Sequence, residues 1–255
     1  MIIVPKQFTF DTDKGLLSLL GPKTACEIEV LSFSRLCHVA VSSYGGIKKP
    51  VAGQGMREIF MSNAIDALRD RLTVFAKQKN EIAPVTKKPS EVDEMKNSGI
   101  TPDDLERSAE KITDKSLKNK LLEASLIYRT YEAVISQSHF DDGDMLEKVC
   151  EILAPTSFFD GKTIVIDGFK SFTQPEYKLI ELMLRKAKNV YVTLCCDDIN
   201  CTSELSAFSY IAKTARKLRL IAGGAGVGTG EILHTERDLS KFSPEMLHLE
   251  KNIYK

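Results

Sequence analysis

Hydrophobic residues form two kinds of pattern along this chain, and their alternation predicts the fold class. Four short runs are apolar, rich in β-branched residues and nearly continuous, which is typical of parallel strands buried on both faces. They are residues 2–4, 28–31, 163–166 and 190–194, and residues 231–234 are a weaker fifth candidate. Because helical patterns separate these runs, the sequence predicts an α/β fold with a parallel sheet.

The middle of the chain has a different pattern, with no convincing strand from residue 52 to residue 153. Residues 56–77 and 117–135 carry apolar side chains at helical spacing. Thr101 followed by Pro102 and two aspartates predicts the start of another helix. We therefore predict an all-helical insertion at residues 51–153 within a core of residues 1–50 and 154–255. Helices at residues 175–187 and 206–222 complete that core.

Composition and charge exclude several classes of protein. Of the 255 residues, 43% are hydrophobic and 27% charged, as in a folded globular protein. Lys and Arg number 35 and Asp and Glu number 35, so the formal net charge is zero. This balance argues against a histone-like binder of nucleic acid, although a local basic groove is compatible with it. No apolar run has the length of a transmembrane helix, and six scattered cysteines are typical of reduced thiols. We predict a cytoplasmic protein with no membrane contact.

The chain begins directly in a strand-like run. Ile2, Ile3 and Val4 follow only a methionine, whereas domains often begin with a few loose residues. The sequence therefore predicts either a fragment of a longer protein or a misassigned start codon.

Asp167 is the main candidate for nucleotide chemistry. It follows the strand predicted at residues 163–166, where a Walker B carboxylate would hold the Mg²⁺ of a nucleotide. The alternative, which the pattern alone favours, is that Asp167 and Gly168 form the turn that ends the strand. An active ATPase usually has a second carboxylate beside the first, and Gly168 cannot supply it.

Two other sequence features have simple structural explanations. The glycine-rich residues 223–230 follow a predicted helix and precede Glu231, whereas a phosphate loop follows a strand and ends in Lys-Ser or Lys-Thr. We predict a flexible surface loop here. The vicinal pair Cys195 and Cys196, with Cys201, lacks the spacing of a zinc site, so we predict no metal.

A basic side on the predicted helix at residues 206–222 is a candidate for contact with a phosphate backbone. It carries Lys213, Arg216, Lys217 and Arg219. A solvated helix face is the commoner explanation of such a pattern.

Five segments in chain order resemble the AddB component of the bacterial AddAB helicase-nuclease. They are residues 2–10 (IIVPKQFTF against IVPEQFSF), 30–36 (VLSFSRL), 98–105 (SGITPDDL against YGITPEDL), 166–176 (IDGFKSFTQPE against IDGFTSFTPQE) and 247–254 (LHLEKNIY against LxHLExNLF). Together these segments span nearly the whole chain.

The resemblance implies a RecA-like, P-loop NTPase-type core with a helical insertion. It implies a part in double-strand break repair, by DNA end resection for recombination, together with an AddA-like helicase-nuclease subunit. ATP with Mg²⁺ and an iron–sulfur cluster are implied for a full-length member, which is an enzyme. This chain departs from the family in lacking the phosphate-binding loop and in carrying Gly168. The resemblance therefore implies a segment that binds and scans DNA, with no catalytic residue or cofactor of its own.

Candidate DNA contacts lie where the first two predicted strands end, because ligands of open parallel sheets gather at the carboxyl ends of strands. The corresponding loops of UvrD relatives touch the DNA strand, and aromatic side chains there can stack on bases. The candidates are Gln7, Phe8, Phe10, Ser32, Phe33 and Arg35, together with Lys213, Arg216 and Lys217. Core packing is the alternative for the three aromatic side chains.

Two other functions remain open at this stage. One is a freestanding nucleotide-binding α/β protein in which Asp167 is a Mg²⁺ ligand. The other is a protein-interaction module that docks a second chain through the predicted helix at residues 117–135.

Overall fold

The computed structural model describes residues 1–47, 49–75, 82–196, 198–204, 206–235, 240 and 242–253. For residues 82–88 and 142 only the backbone is described. The predicted helix at residues 56–77 therefore runs past the described residues at its end.

Four parallel strands form the sheet, in the order β2-β1-β3-β4. They are β1 (Ile2–Ile3), β2 (Val30–Leu31), β3 (Thr163–Ile166) and β4 (Asn189–Val192). The predicted parallel α/β sheet is thus confirmed, with each strand inside or within one residue of its predicted run. Residues 231–234 pair with no strand. Leu233 there is 73% exposed, so this run lacks the burial that stabilises a strand.

Helices connect and flank the strands. They are α1 (Thr9–Ala25), α2 (Phe33–Tyr44), α3 (Gln54–Ala67), α4 (Ile82–Asn97), α5 (Pro102–Glu110), α6 (Lys115–Ile135), α7 (Asp142–Leu153), α8 (Gln174–Lys186), α9 (Ser209–Gly224) and α10 (Pro244–Asn252). Within the described ranges, none of these helices has the length and apolar character needed to cross a bilayer.

One face of the sheet is well buried. Ile164 and Ile166 of β3 are fully buried in a cluster with Leu36 of α2, Val149 of α7 and Ile180 of α8. We call this the sheet cluster. It is the larger hydrophobic core of the described chain.

The opposite face of the sheet is less covered. The connection from β1 to β2 runs in the opposite direction across the sheet from the connection between β3 and β4, so right-handed crossovers place α1 and α8 on opposite faces. No residue of α1 is buried, and Tyr191 of β4 is 49% exposed. The apolar strand pattern predicted burial on both faces, but in this chain the α1 face remains half open.

A second hydrophobic cluster lies among α3, α4 and α6, and we call it the insertion cluster. Met61, Ala64, Tyr131 and Ile135 are almost completely buried in it. By contrast, α7 falls within the predicted insertion range but packs its apolar side chains in the sheet cluster. The domain boundaries at residues 51 and 153 therefore stay a prediction.

The chain enters and leaves the helical region through one pair of backbone segments. Ala52 N donates to Phe140 O at 2.8 Å, and Phe140 N donates to Pro50 O at 3.0 Å. We call this two-residue pairing the root bridge. It fixes where the helices of the insertion cluster join the sheet.

The helix start predicted at Thr101 is confirmed in detail. The Thr101 hydroxyl accepts from Asp104 N, and the Asp104 carboxylate accepts from Thr101 N at 2.9 Å. Thr173 and Glu176 form the same reciprocal cap on α8. Such caps satisfy backbone donors that have no partner within the helix.

A buried carboxylate stabilises the turns after α3, which ends at Ala67 and not near residue 77 as predicted. Glu123 of α6 is 7% exposed. It accepts hydrogen bonds from the amides of Thr73, Val74 and Phe75 at 2.7 to 3.0 Å, and from the Thr73 hydroxyl. Burial alone would raise the pKa of Glu123, but these hydrogen bonds hold that pKa below its ordinary value.

Replacing Glu123 with Gln is expected to destabilise the protein by about 1–3 kcal/mol, because an amide NH₂ would face backbone donors and leave them unpaired. Urea unfolding followed by far-ultraviolet circular dichroism measures the change. The depressed pKa means that this stabilisation is complete above the unfolded-state pKa of glutamate. It is lost as the pH falls through the lower, folded-state pKa.

Glu110→Gln is the matched control, because Glu110 is exposed at the end of α5. Its effect should stay within about 0.5 kcal/mol. Equal effects of the two substitutions would contradict the anchoring role of Glu123.

Candidate nucleic-acid interface

The carboxyl ends of the four strands lie in one row. Val4 N donates to Leu31 O at 2.9 Å, Asp167 N donates to Ile3 O at 2.9 Å, and Thr193 N donates to Ile166 O at 3.0 Å. These bonds hold the residues that follow each strand side by side. Side chains from distant parts of the sequence therefore meet at this edge.

Asp167 lies at the centre of the row. Its carboxylate accepts a hydrogen bond from the hydroxyl of Thr193, the residue that follows β4. Asp167 therefore has an oxygen-bearing neighbour on the adjacent strand, and its side chain is fixed at the edge of the sheet.

Gly168 occupies a backbone conformation that L residues rarely adopt, with φ of 78°. A Cβ atom added there would lie 3.4 Å from Pro5 Cδ and 3.7 Å from Phe8 Cδ2. The turn after β3 is thus in contact with the segment after β1. A glutamate in place of Gly168 would be strained by the positive φ.

The predicted contacts after β1 are exposed. A short 3₁₀ helix (Lys6–Phe8) follows Pro5 and leads directly into α1. Gln7 is exposed, Phe8 is 46% exposed, and Phe10 is 74% exposed. Both rings are accessible to a ligand at the carboxyl edge.

The predicted contacts after β2 differ from one another in exposure. Ser32 is buried and caps α2, where its hydroxyl accepts from Arg35 N at 3.2 Å. Phe33 is 5% exposed and belongs to the sheet cluster. Arg35 is exposed in the first turn of α2. The structure therefore presents Arg35 to solvent but packs the Phe33 ring away from a ligand.

The loop after β3 joins α2 to the basic helix α9. On one side, the Phe33 ring centroid lies 5.4 Å from that of Phe169 and 6.3 Å from that of Phe172. On the other side, the Thr214 hydroxyl donates to Lys170 O at 3.0 Å. Both groups of predicted contacts are consequently packed against the same loop.

The three predicted basic contacts on α9 are all exposed. Lys217 Nζ lies 4.0 Å from the centroid of the Tyr177 ring, a contact that leaves its charge unneutralised. Lys213 pairs with Glu204 at 3.6 Å, and both partners are well exposed, so the pair is weak. With Arg216, these side chains give α9 a basic surface beside the loop that follows β3.

Comparison with known proteins identifies the family. The family model described as "ADDB, N-terminal" matches residues 1–250 of the chain. The chain belongs to the AddB N-terminal family.

The curated relatives that match are all named as one subunit of an ATP-dependent helicase/deoxyribonuclease. Such a protein of Acetivibrio thermocellus is 32% identical over 262 residues, which cover 100% of this chain and 23% of that protein. Proteins of the same name from Clostridium perfringens and Caldanaerobacter subterraneus are 28% and 30% identical, with 100% of this chain and 22% of each relative covered. The chain thus spans less than a quarter of the length of these AddB relatives.

The residues present do not fit the ATP site implied for a full-length AddB protein. Asp167 and the Thr193 hydroxyl offer oxygens of the kind that Mg²⁺ prefers. However, a Cβ added at any glycine between Gly223 and Gly230 would contact nothing within 4 Å, so this segment is not drawn into a tight phosphate cradle. Across the described part of the chain, we find no second carboxylate beside Asp167 and no phosphate loop.

An iron–sulfur cluster does not fit either. Such clusters are held by several cysteine thiolates, and within the described ranges no three cysteines bring their sulfur atoms within 4.8 Å of one another. Cys37 is buried in the sheet cluster. Burial raises the pKa of the Cys150 thiol to about 12, with a smaller contribution from Glu147.

A cavity of about 440 Å³ lies elsewhere, between the start of α3 and α4. Its lining includes Gly53, Arg57 and Pro89. None of the predicted contact residues lines this cavity. The interface at the carboxyl edge is therefore an open surface formed by strand ends and helix starts.

Sequence reasoning misses Thr193 and Lys170 as residues of this edge. The predicted strand at residues 190–194 includes Thr193, but β4 ends at Val192. Lys170 follows Asp167 by three residues in the loop that both α2 and α9 contact. The position of each residue relative to the end of a strand is the signal that could identify them.

Gly168→Ala is expected to destabilise the protein by about 1–2 kcal/mol, because a Cβ is unfavourable at a positive φ. The urea midpoint measures this loss. In the control, Gly15→Ala in α1, an added Cβ would contact nothing within 4 Å, and the effect should be neutral or stabilising by up to about 1 kcal/mol. A neutral Gly168→Ala would show that the turn relaxes to an ordinary conformation.

Proposed function

We propose that this chain forms a RecA-like, helicase-like part of an AddB-type protein that binds DNA and does not hydrolyse ATP by itself. The observation that carries this proposal is the edge of the sheet. There, the exposed residues after β1 and β2 and the basic surface of α9 lie around the loop that follows β3. The AddB-type protein would act in double-strand break repair, through DNA end resection and recombination.

The chemistry of the edge suits single-stranded DNA. Phe8 and Phe10 expose flat rings on which bases can stack. Arg35, Arg216 and Lys217 expose positive charges that attract phosphates. This local excess of positive charge is compatible with a net charge of zero for the whole chain.

The proposed absence of ATP turnover rests on the geometry around Asp167. A motor ATPase needs a phosphate cradle and a group that orients the attacking water. Gly168 stands where that group would follow the Mg²⁺ ligand, and its positive φ disfavours any side chain. In this proposal Asp167 is a remnant of the nucleotide site and now serves the sheet edge.

The partner and the setting are also part of the proposal. The relatives are named as one subunit of a helicase/deoxyribonuclease, which favours assembly with an AddA-like helicase-nuclease protein. Together the two proteins would hold a DNA end in the cytoplasm, and this segment would scan the displaced single strand.

The double substitution of Arg216 and Lys217 by Gln is expected to weaken binding of a fluorescein-labelled single-stranded oligonucleotide several-fold at low salt. If each side chain contacts one phosphate, the slope of log affinity against log salt should fall in magnitude by about 1.4, from about 0.7 per phosphate. Fluorescence anisotropy titrations at several salt concentrations measure both quantities.

Lys120→Gln and Lys111→Gln, combined, remove the same charge from exposed positions of α6 and of the residue after α5. This control should retain the wild-type salt slope. An equal loss of affinity in the two double variants would indicate non-specific attraction and would contradict an interface on α9.

ATP hydrolysis by the purified chain should remain at background in the presence of single-stranded DNA. A coupled assay of phosphate release measures it, with Asp167→Ala as the control. Turnover that disappears in Asp167→Ala would overturn the non-catalytic proposal and would favour a genuine nucleotide site.

A further inference from the structure

A lysine of α4 lies at the junction between the insertion cluster and the sheet cluster. Lys96 Nζ contacts Glu132 of α6 at 2.5 Å, Asp144 of α7 at 2.8 Å, and also Asp141, the residue that caps α7. The three N–H groups of an ammonium thus meet three carboxylates. One side chain thereby joins three helices.

Burial distinguishes this group from an ordinary surface ion pair. The Lys96 side chain is 13% exposed and that of Asp141 is 2% exposed. Burial alone would lower the pKa of Lys96, but Asp141 and Asp144 raise that pKa above its ordinary value. Lys96 therefore remains charged, and its removal would leave three carboxylates close together without a cation.

The three carboxylates have the spacing of a metal site, since one oxygen of each lies within 4.8 Å of the others. The Lys96 ammonium already lies among them and contacts all three. A divalent cation in the same space would be repelled by the ammonium. The cluster is consequently a site with a built-in cation.

The neighbouring contact extends the same junction. Gly99, three residues after Lys96, has φ of 74°, and a Cβ there would lie 3.1 Å from Cγ of Gln174. Gln174 begins α8, and its side chain accepts from Lys217 of α9 at 2.9 Å. The end of α4 therefore docks on α7 through Lys96 and on α8 through Gly99.

The arrangement of the two hydrophobic clusters gives this junction its importance. The clusters have no buried residue in common. Within the described ranges, hydrogen bonds and ion pairs connect the insertion cluster to the sheet side at the root bridge and at Lys96. The root bridge is only two residues wide, so it is a poor restraint on orientation.

We propose that Lys96, with Asp141, Asp144 and Glu132, is an ionic latch that docks the helical insertion on α7 and α8 and makes the two hydrophobic clusters unfold as one unit. Removal of the ammonium releases the end of α4, because the carboxylates of α6 and α7 then repel each other. The root bridge remains, and the insertion becomes an independently unfolding part. This inference concerns the fold and holds whether or not the chain binds DNA.

Lys96→Met tests the latch, because methionine retains a similar length without the charge. Hydrogen-exchange mass spectrometry across a urea series would follow peptides from α6 and from β3. In the wild type we expect one common urea midpoint for the two peptides. In Lys96→Met the α6 peptide should lose protection at a lower urea concentration than the β3 peptide.

Lys148→Met is the matched control, since Lys148 lies on α7 but forms an exposed ion pair with Glu151. It should keep the two midpoints together, as should Lys96→Arg. If Lys96→Met does not fold, Asp141→Asn provides the test, because asparagine can still cap α7 while the main charge partner is lost. Coincident midpoints in Lys96→Met, or in Asp141→Asn in its place, would overturn the latch.

Discussion

The fold depends on a two-residue strand that is held on both sides. Ile2 N donates to Glu29 O at 2.7 Å, and Asp167 N donates to Ile3 O at 2.9 Å, so β1 binds β2 and β3 at once. Parallel pairing aligns the carboxyl ends of strands that are far apart in sequence. The row of Val4, Asp167 and Thr193, and with it the candidate interface, exists because of this short strand.

Polar groups, more than apolar packing, position the helical insertion. Glu123 organises the turns after α3 through backbone amides, while Lys96 joins α4 to α7. Each is a buried charge whose partners compensate for the loss of water. The insertion therefore combines a hydrophobic interior with ionic attachments, which is a suitable construction for a part that must keep one orientation beside an open sheet edge.

Local signals predicted much of the fold and only part of the site. The cap at Thr101 and the strand at residues 163–166 could be predicted because their determinants lie within a few residues. Residue types also pointed to the exposed Phe10 and Arg216. The burial of Phe33 could not be predicted, because its partners Phe169 and Phe172 are more than 130 residues away in the chain.

Periodicity, capping and short segments of residues were enough to establish the parallel α/β class, the family and the helical character of the middle region. Which side chains meet became known only from the folded chain. The contacts of Glu123 with Thr73 and of Lys96 with Asp141 join separate helices or turns, and the exposure of the α1 face depends on which helices cover the sheet. Long-range contacts are selected by the packing of the whole chain, and no local pattern encodes them.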